Sequence, residues 1–502
     1  MLKDVESIKS EGPPRLSARL RKGVKDLKEL NLVLKHADKN LGLVAIRGDI
    51  YNHMVRAHLD SDSFQKVPVF PQEVIIKRLE NIVKIKTPEI ALSIKNGWIT
   101  KAMEAKEPCP FYIIPKIHKP QISSRPITAQ HSYMLSTVSK ALTQVLQPIS
   151  DQFDEIARDS KMVVQQLECR ELPEDCVFLT YDIEKMYPTI DLRDAIATLE
   201  QHLPMMRMND GFWTKILKLI MYNNYVTWND EIYRQQKGTA TGTQVAPPFA
   251  NLYTYFKFKP IFDEETSGIY FNSRLIDDGL LIVQDAVTAR RIIGKLNQAS
   301  SMNLTYVIND KMATFLDLDI YKGPRFKNNK IVDIKVHFKP TNKLLYLPSN
   351  SNHPGIHKAS VVKGEAIRCL RNTSDKIEWL KALHFVFKGM MARGYDGTLI
   401  KRKWKEVRFE DRDKYVFEKS TPTEPKPSRI FVPFHIQAKK KWKVMLKRWP
   451  VEPLLITKRS GKLNTQQKKF LEEWPPQVIF KDFKKVGMLV VNAKEVGTSP
   501  LQ

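Results

Sequence analysis

Three aspartates have the residue type and the setting to hold divalent metal. Asp182 lies in VFLTYDIEKMYPTI, and Asp277 and Asp278 lie together in SRLIDDGLLIV. Each is embedded in a β-prone apolar run of the kind that buries as a strand. Adjacent acids on buried strands repel unless a cation neutralises them, because unpaired buried charge is costly or shifts its pKa. An oxygen-only donor set suits magnesium or manganese. An Asp-Asp dipeptide is more often a solvated turn. Here it falls between Arg274-Leu275-Ile276 and Leu280-Leu281-Ile282-Val283, with Gly279 directly after it, which predicts strand, tight turn, strand. Such a hairpin tip beside an upstream acid-bearing strand suits two-metal phosphoryl or nucleotidyl transfer.

The segments that must position these acids are dense in strand signals. Residues 176 to 320 contain CVFLTYDI, YVTWNDEIYRQ, RLIDDGLLIV and TFLDLDIY, separated by helical patterns at 192–201, 211–224, 246–258 and 286–300. That alternation predicts an α+β domain around an antiparallel sheet. Upstream, a β-prone segment (Gly42 to Ile46) precedes a helix pattern (Ile50 to Leu59), and residues 71–106 are helical in period. After Pro108 come a short β run, a Pro-punctuated basic loop and a helix from about Tyr133. Between the single acid and the acid pair lies GTATGTQVAPPFANLYTYFKF. Gly238 and Gly242 are expected to bring backbone close to a ligand, Gln244 supplies an amide, and a helix is expected from near Ala246 with Pro247 in its first turn. The loop is no P-loop, since no Gly-Lys-Ser/Thr follows.

Composition supports a polyanionic partner. The chain has 502 residues, 42% hydrophobic, with a net charge of +26. That length predicts roughly two to four domains, and such an excess of Lys and Arg attracts nucleic acid through counterion release. KRKWKEVRF (401–409) and KKKWKVMLKRW (439–449) interleave aromatics with the charge, which favours nucleic acid over lipid. Cys109, Cys169, Cys176 and Cys369 show no CxxC spacing, so reduced thiols are expected. His353 and His357 form an HxxxH pair, but Pro354-Gly355 between them predicts a loop rather than a metal-binding helix. No apolar run approaches the ~18 residues of a bilayer span, and MLKDVESIKS has no secretory core. A soluble, intracellular protein, nuclear or cytoplasmic, without a membrane partner is expected.

In order along the chain, TYDIEKMYPTI, GTATGTQVAPPFANLY and RLIDDGLLIV resemble motifs A, B and C of the right-handed polymerases, specifically reverse transcriptases. ADKNLGLVAI, FYIIPKIHKP with SSRPITA, TFLDLDIYK, and HFKPTNKLLYLPSNSNHPGIHKASVVKGEAIRCLRNTS together resemble the Penelope-like retroelement reverse transcriptases, relatives of telomerase. The likeness covers roughly residues 31 to 375, and its collinear order is its strength. It implies a right-hand fold: an N-terminal extension and start of fingers (1–110), fingers (111–175), palm (176–330), helical thumb (331–417), and a linker with a basic C-terminal segment (418–502). Many Penelope-like proteins continue into a GIY-YIG endonuclease, and nothing after residue 430 resembles one.

The resemblance implies an RNA-directed DNA polymerase that extends a DNA primer on an RNA template with deoxynucleoside triphosphates. Asp182, Asp277 and Asp278 would bind two magnesium ions, or manganese, with Ile183 offering its carbonyl. Lys116 and Arg125 resemble the finger residues that grip the triphosphate, a task suited to the forked guanidinium. Tyr187 matches the position whose ring excludes a 2′-hydroxyl, Gln244 would touch the templating pair, and Phe315-Leu316-Asp317 resembles the primer-grip turn. Lys39 and Arg47 either join the phosphate grip or stabilise the N-terminal fold, the second being favoured. Lys311 would be a general acid but for its closeness to the FLD turn. Leu275-Ile276 stands where many reverse transcriptases carry a tyrosine two residues before the first acid. The alternatives are an RNA-dependent RNA polymerase, against which Tyr187 argues, and a polymerase-derived binding protein without catalysis.

Overall fold

The computed structural model describes residues 18–105, 107–117, 122–299, 302–340, 342–351, 353–418, 429–434 and 477–482. The first seventeen residues, His118–Pro120 of the PKIHKP segment, nearly all of the Pro-rich linker, KKKWKVMLKRW and the VGTSPLQ tail lie outside the described residues. The chain divides into two compact units, one formed by Asp26–Lys343 with Cys369–Ala382, the other by Met1–Lys25, Leu344–Arg368 and Leu383–Gln502.

In the first unit, β1 (Leu32–His36) and β2 (Leu43–Arg47) form an antiparallel hairpin around a short 3-10 turn at Asp38–Asn40. The strands that follow are β3 (Phe64–Val67), β4 (Cys109–Lys116), β5 (Ser123–Thr128), β6 (Val177–Ile183), β7 (Tyr225–Trp228), β8 (Glu231–Gln235), β9 (Ile269–Leu275), β10 (Asp278–Val283), β11 (Leu304–Asn309), β12 (Met312–Phe315), β13 (Leu318–Tyr321) and β14 (Asp333–Val336). One sheet has the order β3-β8-β7-β4-β5, so the YVTWNDEIYRQ hairpin joins strands from far upstream rather than its neighbours in sequence. The stretch read as a Pro-punctuated loop contains β5, and Pro126 is tolerated there because β5 is an edge strand.

The acid-bearing sheet has the order β11-β6-β10-β9 and is antiparallel throughout. Alternation along β6 sends Val177, Leu179, Tyr181 and Ile183 into the main core. Helices Ala246–Glu264 and Ala286–Ala299 serve that core, Phe258 of the first meeting the Tyr181 ring edge-on at 6.4 Å. On the other face Phe178, Leu280 and Ile282 are buried, and that face opens to solvent at Asp182 and Asp278. Pro247 and Pro248 start the first of these helices, as expected. The helix read from residue 211 corresponds to the second half of Pro204–Tyr222, which breaks at Met208–Gly211, where Asn209, Asp210 and Gly211 are left-handed.

In the second unit, Trp404 of KRKWKEVRF donates its indole N–H to the Val362 carbonyl (3.0 Å) and packs edge-on against Phe387. Both its polar edge and its ring are thus engaged internally. His353 sits in a loop, 3.1 Å from the Ser351 hydroxyl, while His357 lies in the first turn of helix Gly355–Arg371. β15 (Arg429–Phe434) and β16 (Gln477–Asp482) pair in parallel. All four cysteines are free thiols. Among the described residues no helix is long and apolar enough to cross a membrane.

Candidate active site

Pairing of β10 with β6 sets Asp278 directly opposite Asp182. Side chains so opposed share a face with Cβ atoms about 4.5–5.5 Å apart, and like charges there repel. Asp277 occupies the two-residue turn closed by the Leu275–Asp278 pair. Its neighbour Ile276 has φ +57, a conformation that costs a β-branched residue about 1–3 kcal/mol. Two hydrogen bonds hold the turn: Ile183 N–H donates to the Asp277 carbonyl (2.9 Å), and Arg274 Nη1 donates to the Ile276 carbonyl (2.7 Å).

Gly279 was expected in the turn, yet it is the second residue of β10 and pairs with Tyr181. A Cβ on it would stand 2.1 Å from Cζ of that ring, so the missing side chain makes room for the tyrosine. The acids were expected to be buried, and all three are exposed. Tyr181 and Gly279 are the last buried pair in the β6–β10 register, and the next pair, Asp182 and Asp278, is exposed. Although Asp278 meets solvent, desolvation by the surrounding protein, then Asp277 and Asp182, push its pKa from 3.8 up to about 6, against the opposing pull of Lys339 and Lys39.

The donor chemistry of the three acids suits divalent metal. The donors are all oxygen, and their mutual repulsion is what a cation relieves. Among the described residues no group of three or more His, Cys, Asp or Glu side chains is placed to hold a metal ion by itself. Magnesium seldom uses an all-protein cage, taking one or two carboxylates and completing its shell with water and substrate phosphate.

Around the acids lie several of the other expected residues. Tyr187 is half-buried after the left-handed Lys185, and its phenol is raised to about 12 by burial and by Asp277, with Arg125 opposing. It therefore stands within electrostatic reach of both the acid turn and Arg125. Arg125, exposed on β5, pairs with Asp38 at 3.5 Å. Lys116 ends β4, and its charge, with that of Lys185, acts on His58, whose Nε2 is 2.8 Å from the Ser124 hydroxyl. Gln244 is exposed in the loop before helix Ala246–Glu264.

The two loop glycines were expected to approach a ligand, and the structure sets both against the chain's own backbone. A Cβ on Gly238 (φ +67) would meet the Tyr187 carbonyl at 2.4 Å, and one on Gly242 (φ +122) the Thr128 carbonyl at 2.1 Å. Thr239 N–H donates to the Tyr187 carbonyl (2.8 Å), and Thr128 N–H to the Thr241 carbonyl (3.0 Å). The loop thus ties the Tyr187 segment to the end of the Arg125 strand.

Phe315 ends β12 and is buried, and Leu316, at φ +59, and Asp317 form the β12–β13 turn. Asp317 accepts from the Ser160 hydroxyl and from Asn372 Nδ2 (3.0 Å), and its carbonyl accepts from His337 N–H (2.9 Å). Ile183 is buried. Arg47 pairs with Asp49 (2.7 Å), and Lys311 is exposed. Sequence reasoning missed Asp38, Lys339, and the Arg274–Asn251 contact. A cation inside an apolar strand was the available signal for the last, because such a residue must have buried acceptors.

The profile of the family described as reverse transcriptase (RNA-dependent DNA polymerase) matches residues 117–380. The chain belongs to the reverse transcriptase family. The matched span includes the three aspartates, Arg125, Tyr187, Gln244 and the Phe315–Asp317 turn. Telomerase reverse transcriptase of Oxytricha trifallax is 26% identical over 266 residues, covering 45% of this chain and 22% of that protein. Among solved structures, telomerase from Candida albicans in complex with a fragment of telomeric RNA aligns with TM-score 0.52 and 12% identity, over 78% of this chain and 66% of that one. The RNA-dependent RNA polymerase of a human picorbirnavirus aligns with TM-score 0.46 and 12% identity, over 83% and 88%. This chain spans only part of the telomerase relatives. The fold of this reverse transcriptase is the right-hand polymerase fold with an antiparallel palm sheet.

Proposed function

We propose that this chain is the RNA-directed DNA polymerase of a Penelope-like retrotransposon, extending a DNA primer on an RNA template. The observation that carries the reading is the acid cluster: Asp182 and Asp278 opposed in register, Asp277 on the adjoining turn, and Asp278 lifted to about 6. The Penelope-like assignment is supported by the ADKNLGLVAI, PKIHKP and NKLLYLPSNSNHPGIHKAS segments. On this reading the fingers run over 111–175, the palm over 176–330 and the thumb over 331–417, with the β7–β8 hairpin lending two strands to the fingers-side sheet.

Asp182, Asp277 and Asp278, with the Ile183 carbonyl, hold two magnesium ions, or manganese. When bound, those ions supply Lewis-acid activation of the primer hydroxyl and neutralise charge on the triphosphate. Lys116 and Arg125 bind the triphosphate oxygens, Arg125 exchanging the Asp38 carboxylate for phosphate. The Tyr187 ring limits room at the sugar 2′ position, Gln244 meets the templating pair, and Phe315-Leu316-Asp317 supports the primer strand. A net charge of +26 attracts template and primer.

Primer extension by the full chain on an RNA template tests the reading. Magnesium-dependent deoxynucleotide incorporation is expected, and Asp277→Ala should lower it by at least about a thousandfold. Full synthesis by that variant would sink the assignment. Preferential ribonucleotide incorporation would point to an RNA polymerase, and salt-sensitive RNA binding without incorporation to a binding relative.

A further inference from the structure

Arg274 is 4% exposed, and its hydrogen-bond partners are neutral. Nη1 donates to Asn251 Oδ1 (3.1 Å) and to the Ile276 carbonyl (2.7 Å), while Nη2 donates to the Asn251 main-chain carbonyl (2.8 Å). Asn251 is itself 6% exposed, in helix Ala246–Glu264. The Arg274 backbone is also pinned on the outer edge of β9, its N–H donating to the Glu155 carbonyl and its carbonyl accepting from Ala157 N–H, both at 2.8 Å. An arginine fixed at both ends is a rigid strut.

The strut ends at a telling place. The Ile276 carbonyl belongs to the peptide plane that precedes Asp277, and the Asp277 carbonyl, in the plane that follows, accepts from Ile183 N–H. With both planes held, the backbone dihedrals of Asp277 are set from two sides, one through β6 and the other through the guanidinium. The turn needs such restraint, because Ile276 at φ +57 would relax if released.

We infer that Arg274 and Asn251 act together as positioning residues, transmitting the fixed geometry of helix Ala246–Glu264 to the metal-binding turn. This inference rests on the polymerase reading. The guanidinium is suited to the role by shape, since a planar fork can join Asn251 to the turn carbonyl whereas a lysine ammonium cannot span both with the same geometry. Because its acceptors are uncharged, Arg274 also keeps a full positive charge behind the acid cluster, un-neutralised by any ion pair among the described residues.

The test uses the full chain and four proteins: wild type, Arg274→Lys, Asn251→Ala and Asn251→Asp. The last keeps an acceptor oxygen where Asn251 Oδ1 lies. Arg274→Lys should lower kcat for primer extension on the order of a hundredfold, and Asn251→Ala about tenfold, with KM for deoxynucleotide and affinity for primer–template within about twofold of wild type. Asn251→Asp should restore most of the turnover lost in Asn251→Ala. Manganese binding followed by electron paramagnetic resonance should weaken in the first two variants and recover in the third, a readout independent of turnover. If Arg274→Lys does not fold, the two Asn251 variants decide. Normal manganese affinity and turnover in Asn251→Ala, or an Asn251→Asp protein as impaired as the alanine, would overturn the clamp. Failure of the polymerase reading itself looks different, because wild type would then incorporate nothing.

Discussion

Replacing Asp278 with asparagine should stabilise the protein while removing a proposed metal ligand. The carboxylate stands opposite Asp182, and its pKa rises from 3.8 to about 6 through desolvation and through repulsion by Asp277 and Asp182. The native state therefore holds the proton more tightly than the unfolded chain. This group destabilises the fold above about pH 6, and the penalty fades as pH falls toward 3.8. For a wholly buried group such a rise corresponds to about 3 kcal/mol. Asp278 is exposed, and solvent screening reduces the usable figure to about 1 kcal/mol. Asp278→Asn should then melt roughly 2–4 °C above wild type at about pH 7.5 in a chelator. Near pH 5 the gain should fall by about half, because native Asp278 is then largely protonated. Added magnesium should narrow the difference at neutral pH by stabilising wild type alone. Calorimetry or fluorescence melting of both proteins at the two pH values reads all of this. A variant less stable than wild type at neutral pH, or a gain that ignores pH, would refute the reasoning.

Gly279→Ala should destabilise by about 1–3 kcal/mol in denaturant unfolding, because its Cβ would meet the Tyr181 ring, and adding Tyr181→Leu should return part of the loss. An alanine variant as stable as wild type would show that ring contact is not what selects glycine. Tyr187→Val should admit ribonucleotides, raising their incorporation relative to deoxynucleotides by at least about tenfold; an unchanged ratio would remove Tyr187 from sugar selection.

Much of the palm was legible in the sequence because its signals are local. β6 and β10 carry apolar runs whose boundaries follow from composition, and the register that opposes Asp182 to Asp278 fits the motif order. Non-local pairing was not legible. Nothing in YVTWNDEIYRQ announces that β8 pairs with Phe64–Val67 or that β7 pairs in parallel with β4. Burial at strand ends was also misjudged, since β-propensity says a segment is strand but not at which residue it leaves the core. Gly238 and Gly242 were identified as points of close approach and Gly279 as part of the turn, yet what approaches each of the three is protein. Composition reveals that space is needed and does not reveal the occupant.

The misjudged positions share a physical character. Within a few residues the site gathers like charges directly opposed in register, a β-branched residue at positive φ, a buried guanidinium with uncharged acceptors, and a buried Tyr181 hydroxyl without a hydrogen-bond partner. Each departs from what local preference selects, and together they amount to several kcal/mol of unfavourable interaction. The strands bearing them are otherwise regular, with Leu281, Val283, Leu179 and Val177 packed in the main core. A large conventional core can therefore hold a small unconventional tip in one geometry. Local sequence rules describe the core well and the tip poorly, because the tip departs from the local preferences that those rules encode.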